Sequence, residues 1–499
     1  MTLQLNEQDI QTIVNAVLKN VESAISEKNK PIKMTQLSQA TTQKQTISSV
    51  DGVFDDVEEA IEQAHLAQKQ WMKSYSIADR ERVISAIREA VKANVHDFAQ
   101  KVLAETKIGN YEDKVAKLTL TVEKTPGTEI LQTETFTGDH GLTYVEQTPY
   151  GVIGAITPVT NPIDTIVNNG IGMIAGGNTV VFNVHPSSKH VSAEMVQLIN
   201  RATTQAGGPA NLITMVKEPT IETVQQIAAN KHIRLLVGTG GPQMVKSLLK
   251  TGKKAIGAGA GNPPVIVDET ADLKQAAKDI ITGATFDNNL LCIAEKEIFV
   301  LDSVADDLIF ELLAEGAYML DNKQVDRVMQ FTLKENKTGI PGGCSYMTRD
   351  YLVAKEWVGK DATKILAEIG VQNIQTKLLL CEVEAEHPYV QLEQLMPILP
   401  IVRVKSMEEA IEKAVDAEHG NRHTAIIHSN NIKNVTAFAR AIDTTIFVNN
   451  GSSLAGVGYF GEGFTTMTIA GPTGEGVTSA RTFTRQRRTV IANGGLNIK

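Results

Sequence analysis

A chain of 499 residues, 42% hydrophobic and 21% charged, is long enough for two or three domains with filled cores. A formal net charge of −9 disfavours a broad nucleic-acid footprint, and the densest basic group, Arg485, Arg487 and Arg488, reads as a partner or subunit contact. Only Cys292, Cys344 and Cys381 are present, too few and too scattered for a disulfide framework or a thiolate zinc site; a reducing compartment fits, and no apolar run reaches bilayer length.

Near the N-terminus, Ile10, Ile13, Val14, Val17, Leu18, Val21 and Ile25 recur at spacings of three and four, with Asn6 placed as a cap. The spacing predicts an amphipathic helix over 1–25, followed by a polar linker over 26–50. A helix this short needs a surface to fold against, either its own domain or a docking partner.

From Gly52 the pattern becomes regular. Asp55 and Asp56 open a helix carrying Val57, Ala60, Ile61 and Ala64, and a second helix follows through Val83, Ile84 and Ile87. Leu142 to Gln147 reads as a strand. Strands are then predicted at 151–157, 179–184, 211–216 and 233–237, with helices at 163–175, 188–206, 220–230 and 242–250. Such alternation implies βαβ units and a mostly parallel sheet, whose ligand edge lies beyond the strand C-termini. Thr157 and Pro158, Asn183, and the Gly238-Thr239-Gly240-Gly241 turn fall on that edge. The glycine turn serves either a pyrophosphate or only a tight bend, since it lacks the dinucleotide-binding spacing.

Gly257-Ala258-Gly259-Ala260-Gly261-Asn262-Pro263-Pro264 is too glycine-rich for an ordinary strand, and Val265 to Val267 continues as one. Helices are predicted over Leu273–Ile280, Ile309–Tyr318 and Met407–Ala417, and the tail around 480–493 alternates like a strand. Between them lies Phe286-Asp287-Asn288-Asn289-Leu290-Leu291-Cys292. Cysteine is the side chain best suited to attack a carbonyl near neutral pH, provided something raises its thiolate fraction. Either a helix N-terminus or a cofactor's positive ring would do so, and Asp287 is a candidate for orienting the loop.

Taken together, Ile156-Thr157-Pro158-Val159-Thr160-Asn161-Pro162, the glycine-rich stretch and the Cys292 segment resemble the aldehyde dehydrogenase superfamily. Within it, the chain is similar to the coenzyme-A-acylating aldehyde dehydrogenases of bacterial microcompartments, over about residues 50–499. The resemblance implies an α/β fold with a Rossmann-like nicotinamide-cofactor domain at 51–127 and 150–270. It also implies a catalytic cysteine domain at 271–445, a return segment at 446–477 and an oligomerisation arm from 128–149 and 478–496. Cys292 falls at the nucleophile and Asn161 at the oxyanion-binding asparagine. Glu393 matches the glutamate that contacts the nicotinamide ribose, and Thr157, Pro158, Asn183, Gly238, Thr239 and Gly259 complete the expected cofactor contacts.

Two departures from the family pattern matter. The glutamate that activates water in hydrolysing members is matched by Ala258, and no acidic residue occurs between Gly252 and Asp268. The adenosine-ribose lysine is matched by Asn183 and its acidic neighbour by Pro186, which leaves NAD and NADP both open. The expected chemistry is attack of Cys292 on a short-chain aldehyde, acetaldehyde ahead of propionaldehyde. Hydride then passes to NAD, and the acyl group passes to coenzyme A. A hydrolytic or semialdehyde-type dehydrogenase and a mainly shell-docking protein are the alternatives. The resemblance further implies a homodimer or a dimer-based oligomer, with the N-terminal helix directing the cytoplasmic protein into a microcompartment shell. The histidines suggest no metal site: Gly420 and Asn421 argue against a helix joining His419 to His423.

Overall fold

The computed structural model describes residues 49–336 and 351–497. The expected amphipathic helix, nearly all of the expected linker and Cys344 lie outside the described residues.

Two seven-stranded sheets carry the architecture. In the first, the strands run Ser49–Val50, Val53–Phe54, Ile213–Val216, Thr179–Asn183, Val152–Ile156, Ile233–Thr239 and Ala255–Ala258, parallel except for the first pair. Val152–Ile156 and Thr179–Asn183 are buried at every position, as strands covered on both faces by helices must be. The second sheet runs Tyr318–Met319, Leu379–Glu382, Ile398–Val404, Glu297–Leu301, Pro264–Val267, Thr424–His428 and Ile446–Asn449, parallel throughout. Cys381 packs inside this second region as a buried side chain.

Several sequence expectations need correction. The linker does not reach residue 50, because Ser49 and Val50 pair with Phe54 and Val53. Asp51 and Gly52 both have positive φ (46° and 90°), the conformation of a two-residue hairpin turn, so the Asp-Gly pair was a legible strand signal. Gly257 and Ala258 do form a strand, whose glycine admits the Pro242–Leu249 helix: a Cβ at Gly257 would lie 2.3 Å from Val245 Cγ1. Pro264–Val267, expected in the first region, is hydrogen-bonded into the second sheet. The helix expected from Ile309 spans Asp302–Ala314 instead.

Two helices bring the halves of the site together. Pro162–Ala175 is buried along its whole length, and Asn161 is its N-cap residue. Tyr111–Lys124 lies between the two cores: Leu118 and Val122 join the first, while Ala116 and Leu120 pack on the second. Apart from these, Glu134–Gly138, Gly141–Pro149 and Thr484–Ile491 form a three-stranded antiparallel sheet. Phe136 and Val490 on this sheet are each 57% exposed, which leaves apolar surface facing outward.

Candidate active site

Register aligns the cofactor candidates. Ile156 pairs with Asn183 on one side and Gly238 on the other, while Gly238 and Thr239 pair with Gly257 and Ala258. Thr157, Pro158, Asn183, Gly238, Thr239 and Gly259 therefore stand along one edge. From the Val152–Ile156 strand the chain builds outward to one side and then returns to the other, which opens a crevice at that edge.

The residues on this edge differ in what holds them. Thr157 donates its N–H to Asn183 O at 3.3 Å, but its buried Oγ1 has no partner in the protein. Asn183 Oδ1 accepts from Thr223 Oγ1 at 2.6 Å, and Thr239 Oγ1 shares a 2.8 Å hydrogen bond with Thr468 Oγ1. At Gly238 a Cβ would come within 2.6 Å of Leu248 Cδ1, so helix packing accounts for that glycine. An orphaned hydroxyl and a glycine-lined edge beside a strand-order switch fit a nicotinamide dinucleotide.

Cys292 sits in a turn that no regular element directs. After the Leu273–Thr285 helix, Asp287, Asn288 and Asn289 take successive φ values of 47°, 56° and 65°. This left-handed region is one that Asp and Asn tolerate better than other side chains with a Cβ. The Asp287 carboxylate accepts from Lys117 Nζ at 2.7 Å, Lys114 Nζ at 3.1 Å and the Asn110 N–H at 3.0 Å. Its own N–H donates to Asp113 Oδ2 at 2.7 Å. Asn288 Nδ2 donates to Gly359 O and Asp361 Oδ1, and Asn289 Nδ2 donates to Ala284 O and Glu295 O. Lys296, fully enclosed, donates to the carbonyls of Asn289 and Leu291 at 3.0 and 3.1 Å. Asp287 thus orients the loop, as the sequence suggested, but it works through lysines that the sequence reading missed. Lys114 and Lys117 occupy the buried face of their helix beside Leu118 and Thr121, and cations at core-facing positions were the available signal.

Cys292, Asn161 and Lys117 line one cavity, with apolar walls from Leu120, Phe286, Leu454 and Val457. Glu393 is buried beside it, and its Oε1 accepts from the Gly261 N–H at 3.1 Å. Burial pushes the Cys292 thiol up to about 12; the Glu393 carboxylate pushes the same way, and Lys296 opposes it. Burial likewise raises Glu393 and lowers Lys296, each partner pulling the other back. Cys292 itself lies in a non-helical turn, and its protein surroundings favour the thiol. Asp287 is the opposite case, because Lys117 and Lys114 outweigh its burial and hold it below the usual carboxylate range.

Residues 26–466 match the aldehyde dehydrogenase family. The acetylating acetaldehyde dehydrogenase EutE of Escherichia coli is 45% identical over 491 residues, which cover 98% of this chain and 99% of that protein. A CoA-propanoylating propanal dehydrogenase from Citrobacter freundii is 45% identical over 446 residues, covering 89% and 93%. Among solved structures, Rhodopseudomonas palustris propionaldehyde dehydrogenase with bound CoA and an acylated cysteine superposes with a TM-score of 0.85. It is 47% identical, and the match covers 90% of this chain and 100% of that one. The nucleophile turn and the N-cap residue of the buried helix share one cavity, and the sequence match runs nearly end to end; the chain belongs to the aldehyde dehydrogenase family.

Proposed function

We propose that this chain oxidises a short-chain aldehyde, acetaldehyde first and propionaldehyde second, to the acyl-CoA. The observation that carries this reading is the pairing of Cys292 and Asn161 in an apolar cavity, together with Ala258 at the position of the hydrolytic base. Support for the acyl acceptor comes from the relatives, whose names specify acetylating and CoA-propanoylating dehydrogenases.

Cys292 Sγ, once deprotonated, bonds to the aldehyde carbon, and the carbonyl π electrons move onto oxygen. Asn161 Nδ2 and the Cys292 N–H are the donors for that oxyanion. One such donor contributes about 3–4 kcal/mol to the transition state. Thr157, Pro158, Asn183, Gly238, Thr239 and Gly259 would hold a nicotinamide dinucleotide along their edge, with Glu393 for its ribose, and the bound group would accept the hydride that leaves the aldehyde carbon. The acyl group is left on Cys292 Sγ. Ala258 has no proton acceptor to activate water, and the apolar walls limit how much water enters. The coenzyme A thiol brings its own nucleophile, so the acyl carbon exchanges one sulfur for another.

The test is NADH formation with acetaldehyde and NAD, with and without CoA, and product analysis. Acetyl-CoA formed in step with NADH supports the reading; free acid at a rate independent of CoA overturns it. The outward apolar face of the three-stranded sheet supports a dimer formed through that arm, measurable by light scattering. Residues 1–25 serve as a docking segment for a microcompartment shell, a reading supported by a 47% identical propionaldehyde dehydrogenase from a fucose utilisation microcompartment of Clostridium phytofermentans. Deleting residues 1–24 should remove encapsulation and spare activity; retained encapsulation would end that reading. Among the described residues no helix is long and apolar enough to cross a membrane.

A further inference from the structure

An asparagine amide has nearly the same shape in its two orientations, and only its hydrogen-bond partners decide which end faces a ligand. Asn161 is therefore useful as an oxyanion donor only if something fixes the amide with its nitrogen toward the cavity. Lys117 Nζ donates to Asn161 Oδ1 at 2.8 Å. An ammonium has no acceptor, so turning the amide over would set NH2 against NH3+ and forfeit that bond. Asn161 Nδ2 has one protein contact among the hydrogen bonds, a long 3.4 Å approach to Thr160 Oγ1, and it keeps an N–H for the cavity.

We propose that Lys117 is a positioning residue that sets both halves of the oxyanion site. The inference rests on the functional reading above. Its three ammonium protons have three acceptors: Asn161 Oδ1, Asp287 Oδ2 at 2.7 Å and Thr160 O at 3.3 Å. No proton remains for a substrate, so although Lys117 lines the cavity it acts through its neighbours. One bond orients the asparagine amide. Another holds Asp287, at the head of the left-handed run that leads to Cys292 and its N–H. Lys114 supplies a second cation to the same carboxylate, and Asp164 lies 3.8 Å from Lys117 Nζ, so the buried cluster balances two lysines with two aspartates. The arrangement ties together residues separated by 44 and 170 positions in the chain.

The experiment is a double-mutant cycle read by single-turnover NADH formation, with NAD and acetaldehyde in excess over enzyme. Asn161→Ala alone should slow acylation by about 100-fold or more. Lys117→Met should slow it by about 10- to 100-fold, with KM for NAD unchanged, and by a clearly smaller factor in the Asn161→Ala background, where only its hold on Asp287 is left to lose. Lys117→Arg keeps a donor-only group and should recover most of the lost rate. Multiplicative losses in the cycle, or no loss from Lys117→Met, would overturn the proposal. If Lys117→Met does not fold, Lys117→Gln replaces it: its amide can also present an oxygen to Asn161, so it should fall below the Arg variant. Equal rates for the Arg and Gln variants would count against the proposal. If Asn161→Ala itself costs less than about threefold, the oxyanion reading fails independently of Lys117.

Discussion

At the cofactor edge, backbone register does the aligning. Ile156, Asn183, Gly238 and Gly257 are neighbours because parallel strands pair them, and the side chains beyond them inherit that placement. Around Cys292 nothing comparable exists. Three left-handed residues, two buried lysines and a buried aspartate hold the turn, and Lys296 closes it from the other side. Ladder bonds are numerous and individually replaceable, whereas a buried charge that loses its partner carries a large penalty. The edge should therefore tolerate substitution wherever no helix crowds it, Gly238 and Gly257 excepted, and the cysteine turn should not.

Substitutions at the two regions can break this contrast. Cys292→Ser should lower NADH formation by about three orders of magnitude or more, because an alcohol is a far weaker nucleophile at neutral pH. Residual turnover near the parent rate would remove Cys292 from the chemistry. Asp287→Ala leaves Lys114 and Lys117 enclosed without their shared carboxylate and should cost about 3–5 kcal/mol in urea unfolding. At Gly261 an added Cβ would stand 2.3 Å from Cys292 O. Gly261→Ala should therefore shift the turn, lower kcat, and destabilise by about 1–3 kcal/mol.

Smaller effects sharpen the comparison. With the thiol pushed up to about 12, alkylation of Cys292 by iodoacetamide in the cofactor-free enzyme should be slow at pH 7. It should rise by about tenfold per pH unit up to pH 9, following the thiolate fraction. Glu393 is among the causes of that rise in pKa, so Glu393→Gln should lower the thiol pKa and speed alkylation throughout the same range. A slower rate would show that Glu393 acts on the thiol in some other way. On the edge, Thr157→Val removes a hydroxyl without a protein partner; KM for NAD should rise a few-fold while stability stays within about 0.5 kcal/mol. A loss as large as that from Asp287→Ala would erase the difference between the regions.

The parallel strands were legible because each is a short apolar run between turn signals, as in Val152–Ile156 and Thr179–Asn183. Cys292 and Asn161 were singled out by the stretches that resemble a known family, since by residue type alone a lone cysteine reads as packing and an asparagine before a proline as a turn. What escaped was set at long range. Lys114 meets Asp287 across 173 positions, and no local pattern records such a pairing. The thiol's surroundings escaped for the same reason, since Glu393 approaches through a loop bound to Gly261. The Asp51-Gly52 hairpin is different: its signal was local and was overlooked beside the polar tract before it.

One consequence follows from the helix carrying Lys117, which packs on both cores while its ammonium grips the aspartate ahead of the nucleophile. Prying the two sheets apart like jaws would put that buried ion pair under load. On the proposed function, exchange of dinucleotide and entry of the thiol are then expected at the rim of the crevice, with this joint closed.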